Sequence, residues 1–352
     1  MLNIYLKGIP NSKNPSMSIN SNKINMVDLN NKNILVTGGC GFIGSNFLEY
    51  LKKHYKNVSI VNVDKWGIGH RKMSTTMACN HIDYEEISFS LCDLNPDSNL
   101  FWNGVINKNK FDYVFHFAAE SHVDRSISGP EAFVYNNVMG ITKLLEMVRV
   151  KQPQARVINV STDEVYGHLG LNSDPFTEET NLNPRSPYSA SKAAADLIAK
   201  SYVDTYGLDI ITTRCCNNFG PNQFDEKLIP TIIKNLVNGK PIPVYGDGTN
   251  IREWIYVDDH NKSILELAEI GESGGVYNIG SGKEMTNLEM IADIGKILEI
   301  DPIIKFVKDR QGHDFRYAIS SINYKRSFEL MEHDEAMHRT VTFYASKFSK
   351  NG

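Results

Sequence analysis

A glycine-rich run, Thr37-Gly38-Gly39-Cys40-Gly41-Phe42-Ile43-Gly44, follows the apolar stretch Ile34-Leu35-Val36 and leads into a helix-like segment, Ser45–Lys53. Glycines there let the backbone turn tightly and approach an anion, whose charge meets the positive end of the helix. A strand that runs straight into a helix through such a turn commits the chain to right-handed strand–helix–strand units and a parallel sheet covered on both faces. Further apolar runs at Val58–Val63, Tyr113–Phe117, Val157–Val160 and Ile210–Thr213 alternate with helix-like segments. The expected fold is a doubly wound α/β sheet. Beyond Pro221 the pieces shorten (Pro241–Tyr245, Val276–Ile279, helix-like Leu288–Leu298), which predicts a smaller C-terminal lobe interleaved with the sheet.

Three regions are expected. Residues 1–32, rich in Asn, Ser and Lys, read as a flexible N-terminal extension that buries too little apolar surface to order itself. Residues 33–220 form mainly the sheet domain and 221–352 mainly the smaller lobe. The 352 residues are 41% hydrophobic and 22% charged, ordinary for a globular chain. A formal net charge of −4 argues against a nucleic-acid surface. No apolar run approaches the ~18 residues a membrane span needs. The five cysteines show no ligand spacing, so they read as reduced thiols rather than as a metal site, and a cytoplasmic location is expected.

The glycine turn acquires a partner in Asp64, which ends the second apolar run about 20 residues on, where a ribose-binding carboxylate belongs. An acid there binds a 2′-hydroxyl and repels a 2′-phosphate, favouring NAD over NADP. Asp93, followed by Leu94, is a further candidate, for the adenine. Tyr188 and Lys192 stand four residues apart and share one face of a helix. Lowering a phenol from ~10 to ~7 takes about 4 kcal/mol, which one cation at ~4 Å in a dielectric of ~20 can provide. Such a phenolate can take a proton from a substrate alcohol. Thr162, Asp163 and Glu164 add a hydroxyl, an acid and a base in succession, and a paired acid and base point to removal of water as well as oxidation.

The GxxGxxG spacing together with Tyr188-x-x-x-Lys192 resembles the extended short-chain dehydrogenase/reductase family, which implies a Rossmann-type sheet. Ala118–Ser126, Ser161–Gly167, Ser186–Lys192, Asn217–Pro221, Glu226–Pro230, Arg252 with the Glu-Trp-Ile-Tyr after it, and 309–313 narrow the resemblance to nucleotide-sugar 4,6-dehydratases. It runs from about Ile34 to Ile319 and implies an NAD-dependent hydro-lyase acting on dTDP-glucose or UDP-glucose. Tyr188 would take the C4 hydroxyl proton while NAD accepts the hydride, and Thr162 would hold the C4 oxygen. Glu164 would remove the C5 proton, Asp163 would protonate the departing C6 hydroxyl, and the hydride would return to C6.

The resemblance also implies the binding residues. Gly38, Gly41, Phe42, Ile43, Gly44, Asp64, Lys65, Asp93, Leu94, Phe117, Ala118, Ala119, Ser121, Asn136 and Asn218 would hold NAD, together with Tyr188 and Lys192. Asn136 stands where the family usually has threonine. Ser121, Thr162, Asn217, Lys227, Leu228, Pro243, Val244, Tyr245, Arg252, Asn287, Asp309, Arg310 and His313 would hold the nucleotide sugar. Arg252 is the best founded of these physically, because a guanidinium fork matches diphosphate oxygens. A homodimer is implied, built from the helices after Phe133 and at Tyr188. Residues 320–352 lack the Leu-Gly-Trp-x-Pro pattern usual in the family.

Three alternatives share this fold. A 4-epimerase needs no acid/base pair and usually has small residues at positions 163 and 164. A decarboxylase typically keeps the glutamate but carries serine for the aspartate. An NAD-binding protein without catalysis would need none of the set.

Overall fold

The computed structural model describes residues 27–65, 71, 73, 82–94, 109–309 and 312–349. Its main sheet comprises β1 (Asn33–Thr37), β2 (Val58–Asp64), β3 (Ile82–Ser88), β4 (Tyr113–His116), β5 (Arg156–Thr162), β6 (Ile210–Cys215) and β10 (Val276–Ile279). The strands lie in the order β10-β6-β5-β4-β1-β2-β3, and every adjoining pair is parallel. Alternation along the strands builds two cores. On one face Ile34 and Val36 pack with Phe47, Leu48 and Leu51 of α1 (Phe42–His54) and with Ile264 and Leu265 of α7 (Val257–Ile270). On the other, Leu35, Val114 and Val157 meet Leu144, Leu145 and Val148 of α4 (Gly140–Lys151) and Ala195 and Ala199 of α5 (Pro187–Tyr206). A sheet covered on both faces needs strands apolar on both sides, which these are.

The order reverses at β1: β2 lies on one side of it and β4 on the other. That is the switch point where a doubly wound sheet opens a crevice at its strand ends. The glycine turn after β1 and the loop after β4 therefore flank one trough. Thr37 and His116, the last residues of these two strands, join through a 2.7 Å contact between the threonine hydroxyl and the His116 Nδ1.

The smaller lobe has a separate core. Ile229, Ile232 and Ile233 of α6 (Leu228–Val237) pack with Met290 and Ile294 of α8 (Asn287–Leu298). Ala336, Met337, Val341 and Tyr344 of α9 (His333–Ser349) complete it, so the segment without the usual C-terminal pattern still supplies a packed helix. Short strands hold the lobe to the sheet domain. β7 (Asn217–Phe219) pairs with β9 (Ile251–Tyr256), which also pairs with β11 (Glu284–Thr286), while β8 (Ile242–Tyr245) pairs with β12 (Ile304–Val307). β10 belongs to the main sheet although it lies late in the chain. Among the described residues, no helix is long and apolar enough to cross a membrane.

One expectation is corrected. Residues 27–32, assigned to a flexible extension, are packed at their apolar positions: Val27 and Leu29 are 1% and 0% exposed. The Val27 amide donates to the Leu265 carbonyl at 3.2 Å, and the Tyr55 hydroxyl donates to the Val27 carbonyl at 3.1 Å. Two apolar side chains in a polar stretch were enough to tie it to α7; residues 1–26 lie outside the described residues. Truncation to residue 31 should therefore cost about 3–5 kcal/mol more than truncation to residue 27, the worth of two buried aliphatic side chains. Urea unfolding of the two truncated chains measures the difference.

Candidate active site

Two cavities share one wall along the strand ends. The larger, about 590 Å³, runs from the glycine turn past Tyr188 to Arg252 and His313. The smaller, about 220 Å³, lies over the end of β2 against Asp64, Lys65 and Asn136. Gly38, Gly41, Phe117 and Ala119 line both, so the two make a continuous trough.

The trough fits a dinucleotide. Gly38 has φ +77°, and a Cβ on it would lie 2.5 Å from the Ala118 amide nitrogen, so the turn can sit this close to the loop after β4 only as glycine. A Cβ on Gly41 would meet nothing in the protein nearer than 3.4 Å, so its bareness leaves room for a ligand rather than for a neighbour. Asp64 accepts from the Cys40 amide at 2.9 Å, and burial raises its carboxyl to about 6. Phe42, Ile43, Gly44, Ser121 and Asn218 line the larger cavity and Ala118 the smaller. Lys65 donates to Asn136 Oδ1 at 3.3 Å, which joins two expected cofactor residues directly. Asp93 and Leu94 do not reach the wall. They close the 3-10 turn whose Leu91 and Cys92 line it.

The chemistry-bearing side chains meet where β5 ends. Thr162 is still extended, and a 3-10 turn, Asp163–Tyr166, begins immediately after it. The Glu164 amide donates to the Thr162 hydroxyl at 3.3 Å and caps the turn. Consecutive strand residues point to opposite faces; the turn removes that constraint for Asp163 and Glu164. Helix α5 starts at a capping box in which Ser186 and Ser189 each bond the other's amide, with Pro187 in its first turn. This places Tyr188 and Lys192 one turn apart against β5, with Thr162, Glu164, Tyr188 and Lys192 all lining the larger cavity.

Asp163 is 1% exposed and does not itself line the cavity. The Thr162 hydroxyl donates to its Oδ1 at 3.2 Å and links it to the cleft, while its Oδ2 is buried without a partner. Burial, with Glu164 and Glu253 nearby, raises its carboxyl well above the ordinary value, which favours the protonated form. Tyr188 departs from expectation. Burial first, then the Glu164 carboxylate, pushes the phenol well up rather than down, against a hydrogen bond with Thr162. Lys192 Nζ donates to the Val160 carbonyl at 2.9 Å, and burial lowers its own pKa. Lysine alone does not make the phenolate.

Across the cleft, β9 alternation sends Arg252 and Trp254 to the cavity and Glu253 away from it. Glu253 accepts from the amides of Ser281, Gly282 and Ile319, which pins two loops beneath the site. The Arg252 guanidinium lies 4.5 Å over the Tyr317 ring and donates to the carbonyls of Ile251, Asp314 and Phe315. Ser121, Asn217, Lys227, Leu228, Pro243, Val244, Tyr245, Asn287 and His313 line the same cavity. Asp309 does not; it bonds the His313 Nδ1 at 2.7 Å and orients that ring. Arg310 lies outside the described residues. Tyr317 also lines the cavity without having been singled out, since no motif distinguishes it from a core aromatic; Trp254 and Arg125 line it too, and lie within motifs of the resemblance that implied no site role for them.

A family model described as GDP-mannose 4,6 dehydratase matches residues 35–333. The chain belongs to that family. Within it, the dTDP-glucose 4,6-dehydratase of Haemophilus influenzae is 40% identical over 335 residues, which cover 89% of this chain and 97% of that one. The crystal structure of DesIV, a dTDP-glucose 4,6-dehydratase from Streptomyces venezuelae with NAD and TYD bound, superposes with a TM-score of 0.80 at 36% identity, covering 90% and 98% of the two chains. A UDP-N-acetylglucosamine 4-epimerase from Methanobrevibacter ruminantium superposes with a TM-score of 0.78 at 32% identity, covering 90% and 99%. Fold alone does not separate dehydratase from epimerase; the residues at the end of β5 must.

The neutral acid has a stability consequence. A carboxyl whose value in the folded state exceeds its unfolded ~4 contributes fully below that pH, and the contribution is lost as pH rises through the folded value. Asp163→Asn, which does not titrate, should match the parent near pH 4 and be the more stable protein at pH 7. Urea unfolding across that range measures the divergence, and a constant difference at all pH values would contradict it.

Proposed function

We propose that this dehydratase acts on dTDP-glucose and yields the 4-keto-6-deoxy sugar nucleotide, with NAD as cofactor. The observation that carries the reading is Asp163, buried, raised in pKa and joined through Thr162 to the cleft that holds Glu164, Tyr188 and Lys192. Bound NAD supplies a hydride acceptor that is restored within each turnover and a positive charge that favours the phenolate. Tyr188 takes the C4 hydroxyl proton and Thr162 holds the C4 oxygen. Lys192 Nζ is fixed beneath the site by its bond to the Val160 carbonyl. Once C4 is a ketone, Glu164 removes the acidified C5 proton. The C6–oxygen bond then breaks, and the proton of Asp163 leaves with that oxygen as water. Return of the hydride to C6 and of the Glu164 proton to C5 completes the 6-deoxy product, so the net reaction is loss of water, a hydro-lyase.

Residues 33–220 carry mainly the NAD half of this work and 221–352 mainly the nucleotide-sugar half. A cytoplasmic location belongs to the same reading. So does a homodimer: Val134, Tyr135 and Met139 are 51%, 51% and 40% exposed beside Leu197 at 58%, an apolar face on the helices the resemblance assigns to the interface. Sedimentation should show a dimer at micromolar concentration, and a persistent monomer would remove that part.

Product analysis with dTDP-glucose and UDP-glucose in parallel tests the function. The thymine methyl is worth about 1–3 kcal/mol in a pocket, so kcat/KM should favour dTDP-glucose by roughly 10–200-fold. Asp163→Asn should slow release of water by ~10²–10⁴, the usual effect of a lost general acid. A C4 epimer as the product, or water loss at the parent rate in Asp163→Asn, would defeat the assignment.

A further inference from the structure

Beneath the glycine turn lies a partly buried polar chain that the chemistry above does not use. Parallel pairing sets Asn62 opposite Glu86 and Ile60 opposite Tyr84, so Asn62, Asp64, Tyr84 and Glu86 share one side of β2 and β3. Asn62 is fully buried, and its Oδ1 accepts from the Gly39 amide at 3.1 Å. Because the Gly39 N–H can only donate, that bond fixes which way round the amide sits. Its Nδ2 then donates to the Tyr84 hydroxyl at 2.9 Å and to the Cys40 sulfur at 3.3 Å. The Tyr84 hydroxyl donates onward to Glu86 Oε2 at 2.9 Å, and the same oxygen accepts from the Met73 amide at 2.7 Å.

Two donors converge on one oxygen, so the chain must end in a pure acceptor. Other ties bind the same turn: the Cys40 amide donates to Asp64 and the Cys40 carbonyl accepts from the Arg71 amide, each at 2.9 Å. Only glycine fits at position 39 beside this chain, because a Cβ there would fall 2.3 Å from Asn62 Oδ1.

We propose that Glu86, acting through Tyr84 and Asn62, is a positioning residue for NAD: it locks the Gly39 peptide and the strip at Arg71 and Met73 about the glycine turn, so that cofactor affinity depends on its acceptor oxygen. This rests on the NAD reading of the trough and adds to it a pair of residues on β3 that touch no ligand. Burying a carboxylate beside Asp64 opposes an anionic cofactor by charge. The acceptor oxygen, rather than the charge, is therefore what the site retains Glu86 for.

Calorimetric titration with NAD, and separately with dTDP, tests this on the full-length protein. Glu86→Ala should raise the NAD Kd about tenfold, the effect of losing a hydrogen bond to a charged group, and leave the dTDP Kd and kcat at saturating NAD unchanged. Glu86→Gln keeps an oxygen for both donors and should bind NAD like the parent or more tightly. Tyr84→Phe, which breaks the chain without touching Glu86, should weaken NAD alone and serves if Glu86→Ala does not fold. An unchanged NAD Kd in Glu86→Ala and Tyr84→Phe would overturn the role. So would Glu86→Gln as weak as Glu86→Ala, or loss of dTDP affinity in step with NAD. A parent that binds dTDP but no NAD would instead overturn the cofactor reading itself, and this inference with it.

Discussion

The hydrogen bond from the Glu164 amide to the Thr162 hydroxyl ends β5 and starts the turn on which the site depends. Had the strand continued, Asp163 and Glu164 would point to opposite sides of the sheet and could not serve one sugar. Because it stops there, three successive side chains gather at the rim where the parallel strands all end. The capped start of α5 faces the same rim and brings Tyr188 and Lys192 to it. The switch point at β1 opens the trough beside them. Cofactor and acid/base groups are thus neighbours through sheet topology, although they are far apart in sequence.

Dryness does the rest. The same burial that raises the Asp163 carboxyl also raises the Tyr188 phenol, so in the unliganded site both groups lean to their protonated forms. Charge arriving with the cofactor is what distinguishes the two groups. Such an arrangement is costly to hold, and fixed polar contacts stand behind it. Arg214 donates to Asp196 at 2.9 Å and to the Tyr166 hydroxyl at 2.9 Å, and Tyr166 donates to Asn278 at 2.8 Å. These bonds tie β6, α5, the turn after β5 and β10 together, so the reacting groups do not drift into better-solvated positions.

The parts of this that could be read from the chain are those with a one-to-one physical demand. Gly38, Gly41 and Gly44 are required by close approach, Asp64 by its place at the end of β2, and Tyr188 with Lys192 by helical spacing. What could not be read depends on partners distant in sequence. β3 is polar along its length, Ile-Asp-Tyr-Glu-Glu-Ile-Ser, because Tyr84 and Glu86 face a hydrogen-bonded chain instead of an apolar core. Val27 and Leu29 look like part of a polar tail until α7 is packed against them. The rise in the Tyr188 phenol follows from its burial and from the Glu164 carboxylate beside it, which no spacing reveals. Helix α9 was legible in principle: Ala336, Thr340, Tyr344 and Phe348 recur every fourth residue on one buried face.

The claim on which the mechanism turns is that Asp163 carries a proton at neutral pH. An infrared difference spectrum between the parent and Asp163→Asn at pH 7 reads that proton directly. The account predicts that the band lost with the substitution is the carbonyl stretch of a protonated carboxyl group. Loss of the symmetric and antisymmetric stretches of a carboxylate would show Asp163 ionised in the folded protein, and it could not then be the acid that releases water.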